Sequence, residues 1–232
     1  MIDAIIILSL ERRKDRKEIL SKHLDDIKIK DLNVPIYWLP AFDGAKIKSP
    51  VKIIPKPRPY FSFNDENGLP SNSLNKYQIS CSLTHIAGLK FAKMLNLNSV
   101  LLLEDDVHLI DDFVNKLIEL EKEIKNNNIY WEHIYLGGAE RIPNNNKFIS
   151  THLRKPTFTD GLHAYLVHKN GYNKIINGMY SFVTTNDDVI NDLIYKKDKP
   201  LISYFYYPKL SYQIESFSEL DRRIFNRTDF KT

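Results

Sequence analysis

The sequence predicts an α/β fold, a mostly parallel Rossmann-like sheet with helices on both faces, from three observations. Runs of consecutive β-branched and aliphatic residues, at 5–10 and 100–103, have the uninterrupted apolar character of strands covered on both sides. Between such runs lie segments whose apolar residues recur at helical spacing, so strands and helices alternate along the chain. The 232 residues, 43% hydrophobic and 27% charged, suit one domain with a small tail, able to bury roughly 70–75% of the surface of the unfolded chain.

The first strand is expected at 5–10, and 12–26 reads as a helix with Ile19, Leu20, His23, Leu24 and Ile27 near one side. A second strand at 36–39 ends at Pro40 and meets the turn signal Asp43-Gly44. From 46 to 74, Pro50, Pro55, Pro57, Pro59 and Pro70 exclude a regular helix or a central strand. That stretch reads equally as a functional lid or as a mobile insertion. Asn75 caps the next helix, with Gln78 as its capping-box partner, and Ile79, Leu83, Ile86 and Phe91 keep helical spacing to about residue 95. The strand 100–103 runs straight into Glu104-Asp105-Asp106. Then follow a helix at 112–125, a strand at 134–136 closed by Gly137-Gly138, and a strand at 162–167. Helices at 170–179 and 187–196 and a strand at 202–207 complete the domain, taken as 1–215. The remaining tail, 216–232, mixes Phe217, Leu220, Ile224, Phe225 and Phe230 with Arg222, Arg223 and Arg227. Packing on the domain as a final helix is preferred there over docking on an anionic membrane surface.

Charge and cysteine content exclude several classes. With 33 basic and 29 acidic residues the net charge is +4, too small and too evenly spread for a nucleic-acid partner. The single cysteine, Cys81, excludes an internal disulfide and a zinc site built on several thiolates, and it fits a reducing, cytoplasmic setting. The apolar run at 4–8 is too short to span a bilayer and is flanked by Asp3 and Glu11-Arg12-Arg13.

Glu104-Asp105-Asp106 is the sharpest feature. Three carboxylates at one strand end repel one another unless a cation or solvent intervenes. Alternation along a strand puts Glu104 and Asp106 on one face, where they can converge on a hard divalent cation such as Mg²⁺ or Mn²⁺. The plain alternative is a solvated acidic turn before a helix capped by Asp111 or Asp112.

Five segments, in order, resemble glycosyltransferase family 25, which includes lipooligosaccharide galactosyltransferases of lipopolysaccharide biosynthesis and the catalytic modules of collagen galactosyltransferases. They are Leu10-Glu11-Arg12-Arg13-Lys14-Asp15-Arg16, Ala41-Phe42-Asp43-Gly44, Ile79-Ser80-Cys81-Ser82-Leu83-Thr84-His85, Leu102-Leu103-Glu104-Asp105-Asp106-Val107, and Gly161 with Ala164-Tyr165-Leu166-Val167 and Gly171. Gln78, Ser80, Thr84 and Tyr172 stand where the family has Glu, Gly, Ser and Ala, and Thr184-Thr185-Asn186 precede Asp187 in place of its Pro-x.

The resemblance implies a GT-A type fold and inverting transfer of a hexose, galactose or glucose, from a UDP-sugar to a hydroxyl of a glycan, lipid-linked or protein acceptor. It implies Mn²⁺ or Mg²⁺ on Glu104 and Asp106, with Asp105 at the ribose or holding the strand end. Asp187 or Asp188 is the expected base, and the family's spacing to Ile190 fits Asp187 better. Leu10, Arg12, Arg16 and His85 are expected around the nucleotide, Arg12 and Arg16 four apart on one helix face. Core packing is expected of Tyr77, a structural role of His163, and a small filler role of Cys81, for which no paired histidine is indicated. Two other classes compete: a non-catalytic glycan- or partner-binding module, and a nucleotidyltransferase. The absence of glycine from 9–15 speaks against the latter.

Overall fold

The computed structural model describes residues 2–47, 74–142, 145–182 and 184–214, together with the backbone of 217–218 and 223–224. A seven-stranded sheet carries the domain, in the order β2-β1-β3-β9-β5-β10-β7. In chain order the elements are β1 (Ala4–Ser9), α1 (Lys14–Asp26), β2 (Ile36–Pro40), α2 (Lys76–Met94), β3 (Ser99–Glu104), β4 (Val107–Leu109) and α3 (Phe113–Asn126). These are followed by β5 (His133–Tyr135), β6 (Ala139–Glu140), β7 (Leu153–Arg154), β8 (Thr159–Asp160), β9 (Ala164–His168) and α4 (Lys169–Met179). The last are α5 (Asn186–Ile194), β10 (Ser203–Tyr206), β11 (Ser211–Gln213), β12 (Phe217–Ser218) and β13 (Arg223–Ile224).

Strand β1 lies parallel to both β2 and β3, and β10 lies parallel to β5. Strand β9 runs antiparallel between β3 and β5, and β7 is an antiparallel edge on β10. The predicted mostly parallel sheet with helices on both faces is therefore present, with two reversed strands.

Its uninterrupted apolar strands are covered on both faces. Ile5, Ile7, Leu101 and Leu103 point into a core shared with Leu20 and Leu24 of α1 and Phe113, Leu117 and Leu120 of α3. Ala4, Ile6, Leu8, Val100 and Leu102 point the other way, against Ile86 and Leu89 of α2, Ile175 of α4 and Ile190 of α5. Two-sided burial removes the alternation of a half-exposed strand, which is why these runs read so clearly.

Several boundaries differ from the sequence reading. Helix α1 begins at Lys14, after a turn in which the Arg13 N–H donates to the Leu10 carbonyl, 2.8 Å. Arg12 therefore precedes the helix and does not share a helix face with Arg16. The pairs β4–β11, β6–β8 and the edge β7 were not anticipated, since strands of two or three residues carry no period to detect. Strands β12 and β13 pair antiparallel, so the final helix expected in the tail is not formed at those residues. The lid or insertion reading at 46–74 lies, apart from 46–47 and 74, outside the described residues. Among the described residues no helix is long and apolar enough to cross a membrane.

Candidate active site

A cleft of about 140 Å³ opens where the carboxyl ends of β1 and β3 meet the first half of α2. Ligands of open α/β sheets bind at such strand ends. The start of α2 is fixed as the sequence predicts. Asn75 Oδ1 accepts from the Tyr77 and Gln78 N–H groups, each at 2.9 Å, and Gln78 Oε1 accepts from the Asn75 N–H at 2.9 Å. Glutamine closes a capping box as glutamate does, so the departure at Gln78 keeps that function.

One turn further on, Thr84 ties the helix to the loop after β2. Its hydroxyl donates to the Ser80 carbonyl, 2.7 Å, and accepts from the Phe42 N–H, 2.9 Å. The loop's next residues make the turn Asp43-Gly44. Burial works to raise the Asp43 pKa, but hydrogen bonds from Arg12 Nε and the Ala45 N–H, both 2.9 Å, outweigh it and hold it below the ordinary carboxylate value. A β-carbon at Gly44 would sit 2.7 Å from the Tyr77 ring and 2.9 Å from its Cα, so only glycine lets the turn and α2 approach so closely. Tyr77 thereby lines the cleft, correcting the expected core placement.

The acidic strand end forms one network. Buried Asp105 accepts from Arg16 Nη1 at 2.9 Å and from the Leu10 N–H at 3.3 Å, which joins the ends of β1 and β3. Arg16 also lies 3.4 Å from Asp106 Oδ2. Gln213 of β11 reaches across, because β11 pairs with β4 in the register Gln213 to Val107. Its amide nitrogen donates to Glu104 Oε2 at 3.3 Å and to Asp106 Oδ1 at 3.2 Å, so the two carboxylates share one donor. Burial, followed by the charge of Glu104, pushes the Asp106 pKa up to about 6 against the opposing pull of Arg16. Gln213 is buried, and its Oε1 has no hydrogen-bond partner among the described residues.

On α2, His85 Nε2 lies 3.0 Å from Glu104 Oε1 and Nδ1 lies 2.7 Å from the Tyr165 hydroxyl. Cys81 sits one turn earlier, and the ligand atoms of Cys81, His85 and Glu104 all lie within 4.8 Å of one another. Asn186 Nδ2 donates to the Cys81 sulfur at 3.3 Å. Burial first, then the charges of Glu104, Asp187 and Asp106, pushes the thiol pKa well above its ordinary value. The expectation that no histidine accompanies Cys81 is corrected, and the i, i+4 spacing was its available signal.

The two late aspartates have separated environments. Asp188 Oδ2 accepts from the Thr184 and Thr185 hydroxyls at 3.1 and 3.2 Å, and Oδ1 is paired with Arg141 Nη1 at 3.0 Å. Arg141 Nε also donates to both oxygens of Asp160 at 2.8 Å. Asp187 is pushed up to about 7 by burial, then by the charges of Asp160 and Glu104, against a hydrogen bond from the Gly161 backbone. His163 is fully buried and does not line the cleft. Sequence reasoning missed Gln213, Arg141, Asp160, Tyr165 and Asn186, each of which sits on a short strand or reaches its partner over long sequence separation.

Glu104, Asp105 and Asp106 thus line a cleft at the strand ends of an α/β sheet, while Asp187 and Asp188 are not among the residues that line it. Over residues 2–190 the chain matches the profile described as Glycosyltransferase family 25 (LPS biosynthesis protein), and it belongs to that family. It is similar to procollagen galactosyltransferase 2 of Mus musculus, 29% identical over 136 residues, covering 58% of this chain and 20% of that protein. It is also similar to a probable inactive glycosyltransferase 25 family member 3 of Bos taurus, 25% identical over 182 residues, covering 75% of this chain and 28% of that protein. The chain thus spans well under a third of the length of either relative. Among solved structures, a glycosyltransferase involved in glycosylation of the major capsid of PBCV-1 aligns at TM-score 0.44 and 12% identity, covering 94% of this chain and 98% of that one. A197 from STIV aligns at TM-score 0.43 and 10% identity, covering 96% and 93%.

Proposed function

We propose that this domain transfers a hexose from a UDP-sugar to an acceptor hydroxyl with inversion, assisted by a divalent metal ion. The observation that carries this reading is the pair of carboxylates lining the cleft at the strand end, with Asp187 outside that lining but close enough to feel the charge of Glu104. Glu104 and Asp106 offer hard oxygen ligands gathered on one amide, while Asp187 holds its proton to near neutrality.

The residues fit Mn²⁺ or Mg²⁺. Their donors are oxygens, and the donor end of the Gln213 amide already reaches both of them. When bound, the ion supplies Lewis-acid stabilisation of the departing diphosphate. Arg12 stands at the cleft with its guanidinium oriented by Asp43, placed to contact phosphate oxygens. Arg16 and Asp105 neutralise each other and hold the strand ends in place. Asp187 accepts the proton of the acceptor hydroxyl as its oxygen attacks the anomeric carbon opposite the leaving group. The donor is UDP-galactose or UDP-glucose, a choice supported by the galactosyltransferase name of a relative.

A second reading, a non-catalytic binding module, is favoured by one specific observation: a relative covering 75% of this chain is named as probably inactive. Incubation with a panel of UDP-sugars and Mn²⁺, assayed for UDP release, separates the two. Release with one donor supports transfer; absence of release with every donor and acceptor tried supports the binding module. Diphosphate formed from a nucleoside triphosphate would instead support nucleotidyl transfer. In the transfer reading Asp106→Ala loses metal-dependent release while the circular dichroism spectrum is retained, and full activity in that variant removes the metal assignment.

A further inference from the structure

We propose that Cys81, His85 and Glu104 form a second cation site, selective for a borderline-soft ion such as Zn²⁺, that overlaps the oxygen-only pair through Glu104. This site does not depend on the transfer reaction, because it is argued from donor chemistry and geometry alone. Sulfur, imidazole nitrogen and carboxylate oxygen are the ligand set zinc prefers, and hard ions such as Mg²⁺ discriminate against the sulfur. The three donor atoms lie within 4.8 Å of one another, and all come from regular elements, α2 and the end of β3. In a tetrahedral zinc site such atoms stand roughly 3.5 Å apart, so a side-chain adjustment of about an ångström closes the set.

Each donor also has an outer partner of the kind that orients metal ligands. His85 presents Nε2 to the site because Nδ1 is held by the buried Tyr165 hydroxyl, 2.7 Å away. Glu104 keeps Oε1 toward His85 while Oε2 accepts from Gln213 at 3.3 Å. Cys81 accepts from the Asn186 amide at 3.3 Å, which orients its sulfur. The buried Gln213 Oε1, without a partner among the described residues, is a further polar atom at the same cleft. Three protein ligands facing an open cleft leave a coordination position for water or a phosphate oxygen. Zinc binding displaces the thiol proton to solvent, replaces the His85–Glu104 hydrogen bond with the His85 ring proton on Nδ1 toward the Tyr165 oxygen, and forms the metal–ligand bonds with no change of oxidation state. Because Glu104 serves both sites, Zn²⁺ and Mn²⁺ compete for it.

The chain has one cysteine, so any metal–thiolate signal reports Cys81 alone. Metal-free full-length protein is titrated with Co²⁺ as a spectroscopic substitute and with Zn²⁺ by calorimetry. The proposal expects an ultraviolet thiolate-to-cobalt charge-transfer band with the visible bands of a four-coordinate ion, bleached by one equivalent of Zn²⁺. Cys81→Ser should abolish the charge-transfer band and weaken Zn²⁺ binding at least about tenfold, as loss of one ligand among three requires. Asp106→Asn should leave the charge-transfer band in place while weakening Mn²⁺ binding, which separates this site from the oxygen pair. A cobalt spectrum without charge transfer, or Zn²⁺ binding unchanged in Cys81→Ser, overturns the proposal. Absence of UDP release from every UDP-sugar would sink the transfer reading and leave these metal titrations standing.

Discussion

Two neighbouring pairs of aspartates, Asp105-Asp106 and Asp187-Asp188, are alike in sequence and are treated alike by the fold up to a point. In each, an arginine from elsewhere takes one member: Arg16 holds Asp105 at 2.9 Å and Arg141 holds Asp188 at 3.0 Å. The other member is left with a raised pKa, about 6 for Asp106 and about 7 for Asp187. The pairs part in what surrounds the raised member. Asp106 is raised by burial and by the charge of Glu104, with which it shares the Gln213 amide donor, and it lies 3.4 Å from Arg16. Asp187 is raised by burial first and then by the charges of Asp160 and Glu104, against a hydrogen bond from the Gly161 backbone. The comparison teaches that in each pair an arginine takes one carboxylate into an ion pair, while burial and neighbouring negative charge raise the other.

The largest expected effect from breaking this comparison is at Asp187. Asp187→Asn keeps shape and removes the proposed base, and UDP release should fall by about 10²–10⁴-fold with Mn²⁺ affinity unchanged. The matching change in the other pair, Asp106→Asn, should weaken Mn²⁺ binding and lower Mn²⁺-supported release together, and weakened Mn²⁺ binding in Asp187→Asn would erase the distinction. Arg141→Gln comes next. It uncovers the charge of Asp160 beside Asp187, which favours the protonated form, so the acidic limb of the rate profile should move to higher pH by roughly one unit, about tenfold in rate at fixed acidic pH. A profile that stays in place would show that Arg141 serves only the fold.

A smaller effect is expected in stability. Asp106 and Asp187 bind protons more tightly in the folded than in the unfolded chain, so their contribution is full below about pH 4 and is lost as pH rises through about 6 and 7. Chemical denaturation between pH 4 and 8 should show that loss, and Asp187→Asn should flatten it; an unchanged slope would contradict the assigned environment. Smallest is Thr84→Val, which removes the tether to Phe42 and should cost about 1 kcal/mol in denaturant titration, with a raised KM for the donor.

Much of this was legible in the sequence, for identifiable reasons. Strands β1 and β3 announced themselves because both faces are buried, and the capping box at Asn75 and Gln78 is a local pattern that needs no tertiary partner. The reversal of β9 was not legible, since a buried central strand has the same apolar run in either direction. The start of α1 was misplaced because Arg13 offers no side-chain cap to mark it. Gln213, Arg141 and Asp160 lay on strands too short for a period or beside them, and their partners are set by pairing across the fold. Cys81 and His85 were different: their spacing on one helix face was visible and simply underweighted.

The most direct test of the central claim is the pH dependence of kcat/KM for Mn²⁺-supported UDP release, compared between the unmodified chain and Asp187→Asn. The account predicts a rate that climbs through a midpoint near 7 in the unmodified chain and a low, level profile in the variant. A level profile in the unmodified chain, or the same climb in Asp187→Asn, would contradict it.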